Sequence, residues 1–263
     1  MGFAGWGLVG LVTLLGLGVG SFLTALIHRV PRGEAMAELP FRCPACSEPI
    51  SARDTVPIVS WLLLRGRCRA CGGRIGVRYP LVEAITGVLF GVLACRVGFT
   101  WELPAMLYLT SVCIALVFID LETQRLPNAL TLPSYPILAG LLLLPAVIEG
   151  SWDDLLRAML GGLALFLLYF VLALVNPAGM GMGDVKLSGV LGMGLGWFGW
   201  GVLVVGALLA FMLGALVGVA LLVSGRAGRR TKIPFGPFMV AGALLSILIG
   251  QQVADWYVGQ LVS

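Results

Sequence analysis

The chain reads as an all-α polytopic membrane protein with a small polar loop domain outside the bilayer. Three observations carry this. Hydrophobic residues make up 59% of the 263 and charged ones 11%, where soluble domains carry about 25% charged. The mean hydropathy is +1.00. The apolar residues also fall into separate runs of spanning length, since roughly 20 residues cross the hydrocarbon core. Such a composition excludes a soluble globule with one large core.

Residues 4–27 form the first run. Gly16 and Gly20 within it have the spacing that lets two helices approach closely. No Lys or Arg precedes the run and no small-residue cleavage site follows it, so it reads as a retained helix. The polar segment from His28 to Tyr79 is the only stretch that reads as folding outside the bilayer. Further runs lie at 81–97, 102–119, 129–148, 155–176, 185–197, 199–223 and 237–258, which predicts about eight transmembrane helices. The sixth is short and glycine-rich, and reads as tilted or continuous with the seventh. The chain thus divides into a first helix (1–27), a cytoplasmic tetracysteine domain (28–80) and a membrane-embedded body (81–263).

Basic residues set the orientation. An outside N-terminus puts Arg29, Arg32, Arg42, Arg53, Arg65, Arg67, Arg69, Arg74, Arg78, Arg125, Lys186, Arg226, Arg229, Arg230 and Lys232 on inner loops. Only Arg96 and Arg157 remain outside. Both termini are therefore expected outside, with the polar segment, Asp120 and Asp184 on the cytoplasmic side.

Two carboxylates stand out at that inner face. Asp184 follows the turn Gly179-Met180-Gly181-Met182-Gly183 and opens the sixth run, while Asp120 closes the third. Glycine lets backbone approach a substrate closely, so Gly181 and Gly183 are site-shaping candidates. Carboxylates at a membrane rim are costly and point to function. Two held a few Å apart share a proton, so one can activate water while the other polarises a peptide carbonyl. Asp184 also fits a helix N-terminal cap, whereas the dipole disfavours Asp120 at a helix end. The same pair suits a proton-coupled transporter, and composition leaves that open.

Cys43-Pro44-Ala45-Cys46 and Cys68-Arg69-Ala70-Cys71 form two C-x-x-C pairs with 21 residues between them. Paired short loops of this kind suit tetrahedral zinc, though the spacer exceeds the usual range of about 15–20. A reducing cytoplasm disfavours disulfides. A zinc ribbon for nucleic acid and a scaffold that recruits a partner are the competing readings. The flanking arginines are instead read as serving orientation and anionic lipid, and no nucleic-acid partner is expected.

Cys95 and Cys113 read as packing residues, and His28 as a helix-exit residue. Glu83 sits in a helix start, where the dipole stabilises it, with a further role in gripping a Lys or Arg left open. Lys186 reads as an inner-side anchor near the acid pair. Gly192-x-Gly194-x-Gly196 lies in an apolar run and reads as helix packing, not a phosphate loop.

The Gly181-Met182-Gly183-Asp184 motif, running into Val185-Lys186-Leu187, resembles the signature of the type IV prepilin peptidases. So does Ile119-Asp120 followed by Leu126-Pro127-Asn128. Gly20–Leu23 into His28–Pro31, Arg78–Glu83 and Lys232–Phe238 resemble further segments of that family, in order along nearly the whole chain. The resemblance implies an inner-membrane aspartic protease with Asp120 and Asp184 catalytic. Its substrates would be type IV prepilins and type II secretion pseudopilins, cut after a glycine on the cytoplasmic side. Methylation of the new N-terminus from S-adenosylmethionine would follow, and the tetracysteines are linked in the family with full activity. Glu122 departs from the Asp often found two residues after the first catalytic Asp.

Overall fold

The computed structural model describes residues 3–33, 43, 45–46, 48–51, 54–177, 179–225 and 233–262. Arg42, Arg53, Arg226, Arg229, Arg230 and Lys232 of the orientation argument lie outside the described residues. The elements are helices: α1 (Phe3–Arg29), α2 (Val59–Leu63), α3 (Arg78–Val97), α4 (Leu103–Thr123), α5 (Asn128–Glu149), α6 (Trp152–Val175), α7 (Met182–Phe198), α8 (Trp200–Val223) and α9 (Gly236–Val262). Each apolar run of the sequence has become one long helix. The short α2 was not foreseen. By packing, the chain forms two units, Met1–Phe99 and Thr100–Ser263.

In the first unit α1 and α3 interlock through small residues. A Cβ on Gly16 would lie 2.8 Å from the Phe90 Cβ, and one on Gly20 would lie 2.6 Å from the Glu83 Cα. On the other side, a Cβ on Gly87 would meet the Leu17 side chain at 2.6 Å. Lipid is as apolar as a leucine, so this close contact, not hydrophobic exclusion, holds the helices together.

In the second unit α7 is the hub, touching α4, α5, α6, α8 and α9. Leu187 to Trp197 is buried without a break. The glycines explain how neighbours come so near. A Cβ on Gly192 would collide with the Gly161 carbonyl, and one on Gly196 would lie 2.7 Å from the Arg157 carbonyl oxygen. Gly192-x-Gly194-x-Gly196 is thus helix packing. Arg157 caps the end of α7, its Nε donating to Gly196 O at 2.8 Å and its Nη2 to Trp197 O at 2.7 Å. Gly199, at φ 140°, breaks the chain before α8, so the sixth and seventh runs are separate helices.

Seven helices among the described residues are long and apolar enough to cross a membrane. The eighth, α7, has 17 residues, or roughly 25 Å against a core of about 30 Å. Ringed by protein on its length, α7 has no need to match the lipid thickness.

Candidate active site and metal centre

Asp120 occupies the last turn of α4. Gln124, in the left-handed region at φ 50°, donates its N–H to Asp120 O at 2.8 Å and ends the helix there. Asp184 lies in the first turn of α7. Its Oδ2 accepts the Gly181 N–H at 3.2 Å, while its own N–H bonds Gly181 O at 3.0 Å. This reciprocal pair fixes the turn that carries the carboxylate. A Cβ on Gly183 would lie 2.9 Å from the Leu126 Cβ. The missing side chain therefore lets the segment that follows Asp120 lie on the first turn of α7.

A third helix end joins these two. Gly236 opens α9, and a Cβ built on it would lie 2.7 Å from Asp120 Oδ2 and 3.8 Å from Asp184 Oδ1. The separation of those two oxygens cannot exceed the sum of these distances. The Gly236 N–H lies beside the Asp120 carboxylate. Asp120 is only 4% exposed, and its Oδ2 has no hydrogen-bond partner among the described residues. Asp184 is half-buried. Beside them runs an aromatic wall, with Tyr169 and Phe211 at 5.4 Å between centroids, Phe211 and Phe235 at 5.5 Å, and Phe235 and Phe238 at 6.3 Å. The N-termini of α7 and α9 both face the carboxylates, which favours negative charge there.

The other candidates take distinct places. Lys186 Nζ donates to Asn128 Oδ1 at 2.9 Å, tying α7 to the start of α5. Glu83 belongs to the first unit and is buried; its Oε2 accepts the Ile58 N–H at 2.7 Å. The Ser21 hydroxyl of α1 bonds the same carboxylate. Ile58 is held at φ 61°, a region costly for a β-branched residue. His28 is exposed in the last turn of α1. Cys113 is buried, as packing residues are, but Cys95 is exposed.

The four cysteines of the C-x-x-C pairs converge. Their Sγ atoms all lie within 4.8 Å of one another, with Cys43 and Cys71 at 3.9 Å. Tetrahedral metal–thiolate bonds of about 2.3 Å would put sulfurs roughly 3.8 Å apart, so the cage fits one ion. Two matching loops build it. Cys43 N–H donates to Glu48 O at 2.9 Å, and Cys68 N–H to Gly73 O at 2.8 Å. Within the loops, backbone N–H groups turn to the sulfurs, as Gly73 does to Cys71 Sγ at 3.4 Å. Arg69, inside the second pair, clamps Asp54 through Nη2 to Oδ1 at 2.8 Å and Nε to Oδ2 at 2.9 Å.

Electrostatics favour a cation here. Burial opposes ionisation of Cys43, but the N–H groups of Ala45 and Cys46 and the Cys68 and Cys46 thiols outweigh it and bring the thiol down to about 7. At Cys46 the Glu48 N–H favours the thiolate, yet Cys71, burial and Cys43 override it and push the thiol up to about 12. The sulfurs compete for one negative charge, a conflict that a bound dication removes.

The sequence signals Gly236 only through the Pro-Phe-Gly-Pro stretch just before an apolar run. Asn128 and Leu126 were visible only as part of a motif.

Residues 14–97 match the Bacterial Peptidase A24 N-terminal domain, and residues 107–223 match the Type IV leader peptidase family. The chain is 38% identical over 269 residues to a prepilin leader peptidase/N-methyltransferase of Stutzerimonas stutzeri, covering 93% of this chain and 91% of that protein. It is 37% identical to the protein of that name from Aeromonas hydrophila, over 96% of this chain and 94% of the relative. The one from Neisseria gonorrhoeae is 36% identical, over 95% and 94%. No solved structure matches. With both of its units matched and relatives aligned over nearly their full lengths, this chain belongs to the type IV leader peptidase family.

Proposed function

We propose that this chain is an aspartic endopeptidase of the bacterial inner membrane that removes the leader of type IV prepilins and type II secretion pseudopilins. It then methylates the new N-terminus, with S-adenosylmethionine as donor. The observation that carries the peptidase reading is the meeting of Asp120 and Asp184 at Gly236. Both are catalytic. One carboxylate takes a proton from water as that water attacks the scissile carbonyl. The other, protonated, polarises the carbonyl oxygen and then supplies the proton on which the amine leaves. The two titrate as a unit, so neither holds a fixed role. Gly181 orients Asp184, Gly183 admits Leu126, and Lys186 holds α7 against Asn128. Glu83 shapes the first unit through Ile58.

The positive-inside bias puts the acid pair at the cytoplasmic edge. That suits a substrate whose apolar helix lies in lipid and whose basic leader lies in the cytosol. Zinc is the ion that four thiolates favour, with Cys43, Cys46, Cys68 and Cys71 as its ligands. When bound it supplies folding energy to the loop. Methyl transfer is supported by the relatives alone. The buried glycines of α7 are occupied in packing and form no nucleotide cradle. A proton-coupled transporter has no counterpart among the relatives named above.

The test is incubation of the purified full chain with a prepilin, with and without S-adenosylmethionine, read by mass spectrometry. Leader loss in both arms, and one added methyl only with the donor, is expected. An unchanged prepilin mass contradicts the peptidase reading.

A further inference from the structure

Several glycines of the second unit sit where a side chain would not fit, for different reasons. Gly192 and Gly196 face backbone of α6, and Gly199 sits at φ 140°. Gly236 fits neither kind. Its φ lies outside the left-handed region, so no positive dihedral calls for glycine there, although Pro237 restricts the backbone of any residue with a Cβ at this position. The three atoms nearest a Cβ are all carboxyl atoms: Asp120 Oδ2 at 2.7 Å, Asp120 Cγ at 3.5 Å and Asp184 Oδ1 at 3.8 Å. Neither a left-handed dihedral nor the backbone of a neighbouring helix calls for glycine at the first residue of α9. The two carboxylates do.

Resting on the acid-pair reading above, we propose that Gly236 is a positioning residue for the hydrolysis. Its N–H lies beside the Asp120 carboxylate, and its bare Cα keeps open the gap across which Asp120 and Asp184 share a proton and a water. A methyl group in that gap meets the movable tip of a side chain. Asp120 relieves the contact by turning about its own χ angles, while α4 and α9 keep their places. The carboxylate leaves its alignment and the fold survives. A displacement of order 1 Å at a reacting group costs about 100-fold in rate.

The experiment is Gly236→Ala in the full-length protein, with steady-state cleavage of a prepilin peptide followed across pH, beside thermal unfolding. The expected result is kcat lower by about 100-fold with KM and Tm kept, and an altered pH profile, which a loss of packing alone would not give. Wild-type kcat, or a change confined to KM, overturns the assignment. Asp120→Asn run in parallel separates the two readings. Full cleavage by Asp120→Asn sinks the acid pair itself; an inactive Asp120→Asn with an active Gly236→Ala sinks only the role of Gly236. If Gly236→Ala is unstable, the same change is made on Asp120→Ala. Recovery of stability there supports the proposal, because the carboxylate is what the methyl displaces. Equal instability in both backgrounds means that the methyl strikes the bundle, and the proposal is wrong.

Discussion

The cysteine cluster and the acid pair are assembled by opposite means. Each C-x-x-C loop closes on itself, through Cys43 N–H to Glu48 O and Cys68 N–H to Gly73 O. The N–H donors to the sulfurs come from the next few residues of the same loop. The acid pair has no shared local frame: Gly181 holds Asp184 within its own turn, but no local bond brings Asp120 to it. Asp120, Asp184 and Gly236 stand on three helix ends that meet only when α4, α7 and α9 pack. A site held by local hydrogen bonds depends on its ion and its own loop. A site held by converging helix ends depends on the whole bundle.

That contrast predicts separable losses. Asp184→Asn is expected to lower leader release by about 1000-fold or more while metal analysis still finds the ion. Loss of metal together with activity would show that the two sites are not independent. Cys43→Ser is expected to abolish metal binding and expose the segment between the cysteine pairs to protease, because metal binding and loop folding are one event. Far-ultraviolet helicity should stay, since the long helices owe nothing to the ion. Proton counting sharpens the comparison further. With the metal removed, the Cys43 thiol titrates at about 7. Metal uptake below that pH should therefore release a proton from Cys43, and well above it none from that residue. Calorimetry in buffers of different ionisation heat reads the difference. The smallest effect is local. Glu83→Ala should cost about 1–3 kcal/mol by leaving the Ile58 N–H without its carboxylate, seen as faster hydrogen exchange at Ile58.

The same contrast explains what the sequence disclosed. Eight helices were legible because each is an unbroken apolar run. The metal cage was legible because a C-x-x-C loop carries its own geometry. Gly181 and Gly183 were visible beside Asp184, and the glycines of α7 read correctly as packing. The break at Gly199 is not legible, since an apolar run does not show where backbone turns. Gly16 and Gly20 announced a close helix partner but not that it would be α3. Gly236 escaped notice for the same reason: a glycine's need for space is set by whatever faces it, here two carboxylates from distant parts of the chain. Glu83 is legible as an acid at a helix start, but its burial and its partner Ile58, strained at φ 61°, leave no trace in sequence.

The most direct test of two carboxylates acting as one machine is single-turnover cleavage by Asp120→Asn, Asp184→Asn and the double variant. Groups that act as a unit are strongly non-additive, so each single change should cost as much as both together. A single variant that keeps full cleavage, or single losses that multiply in the double variant, would contradict the account.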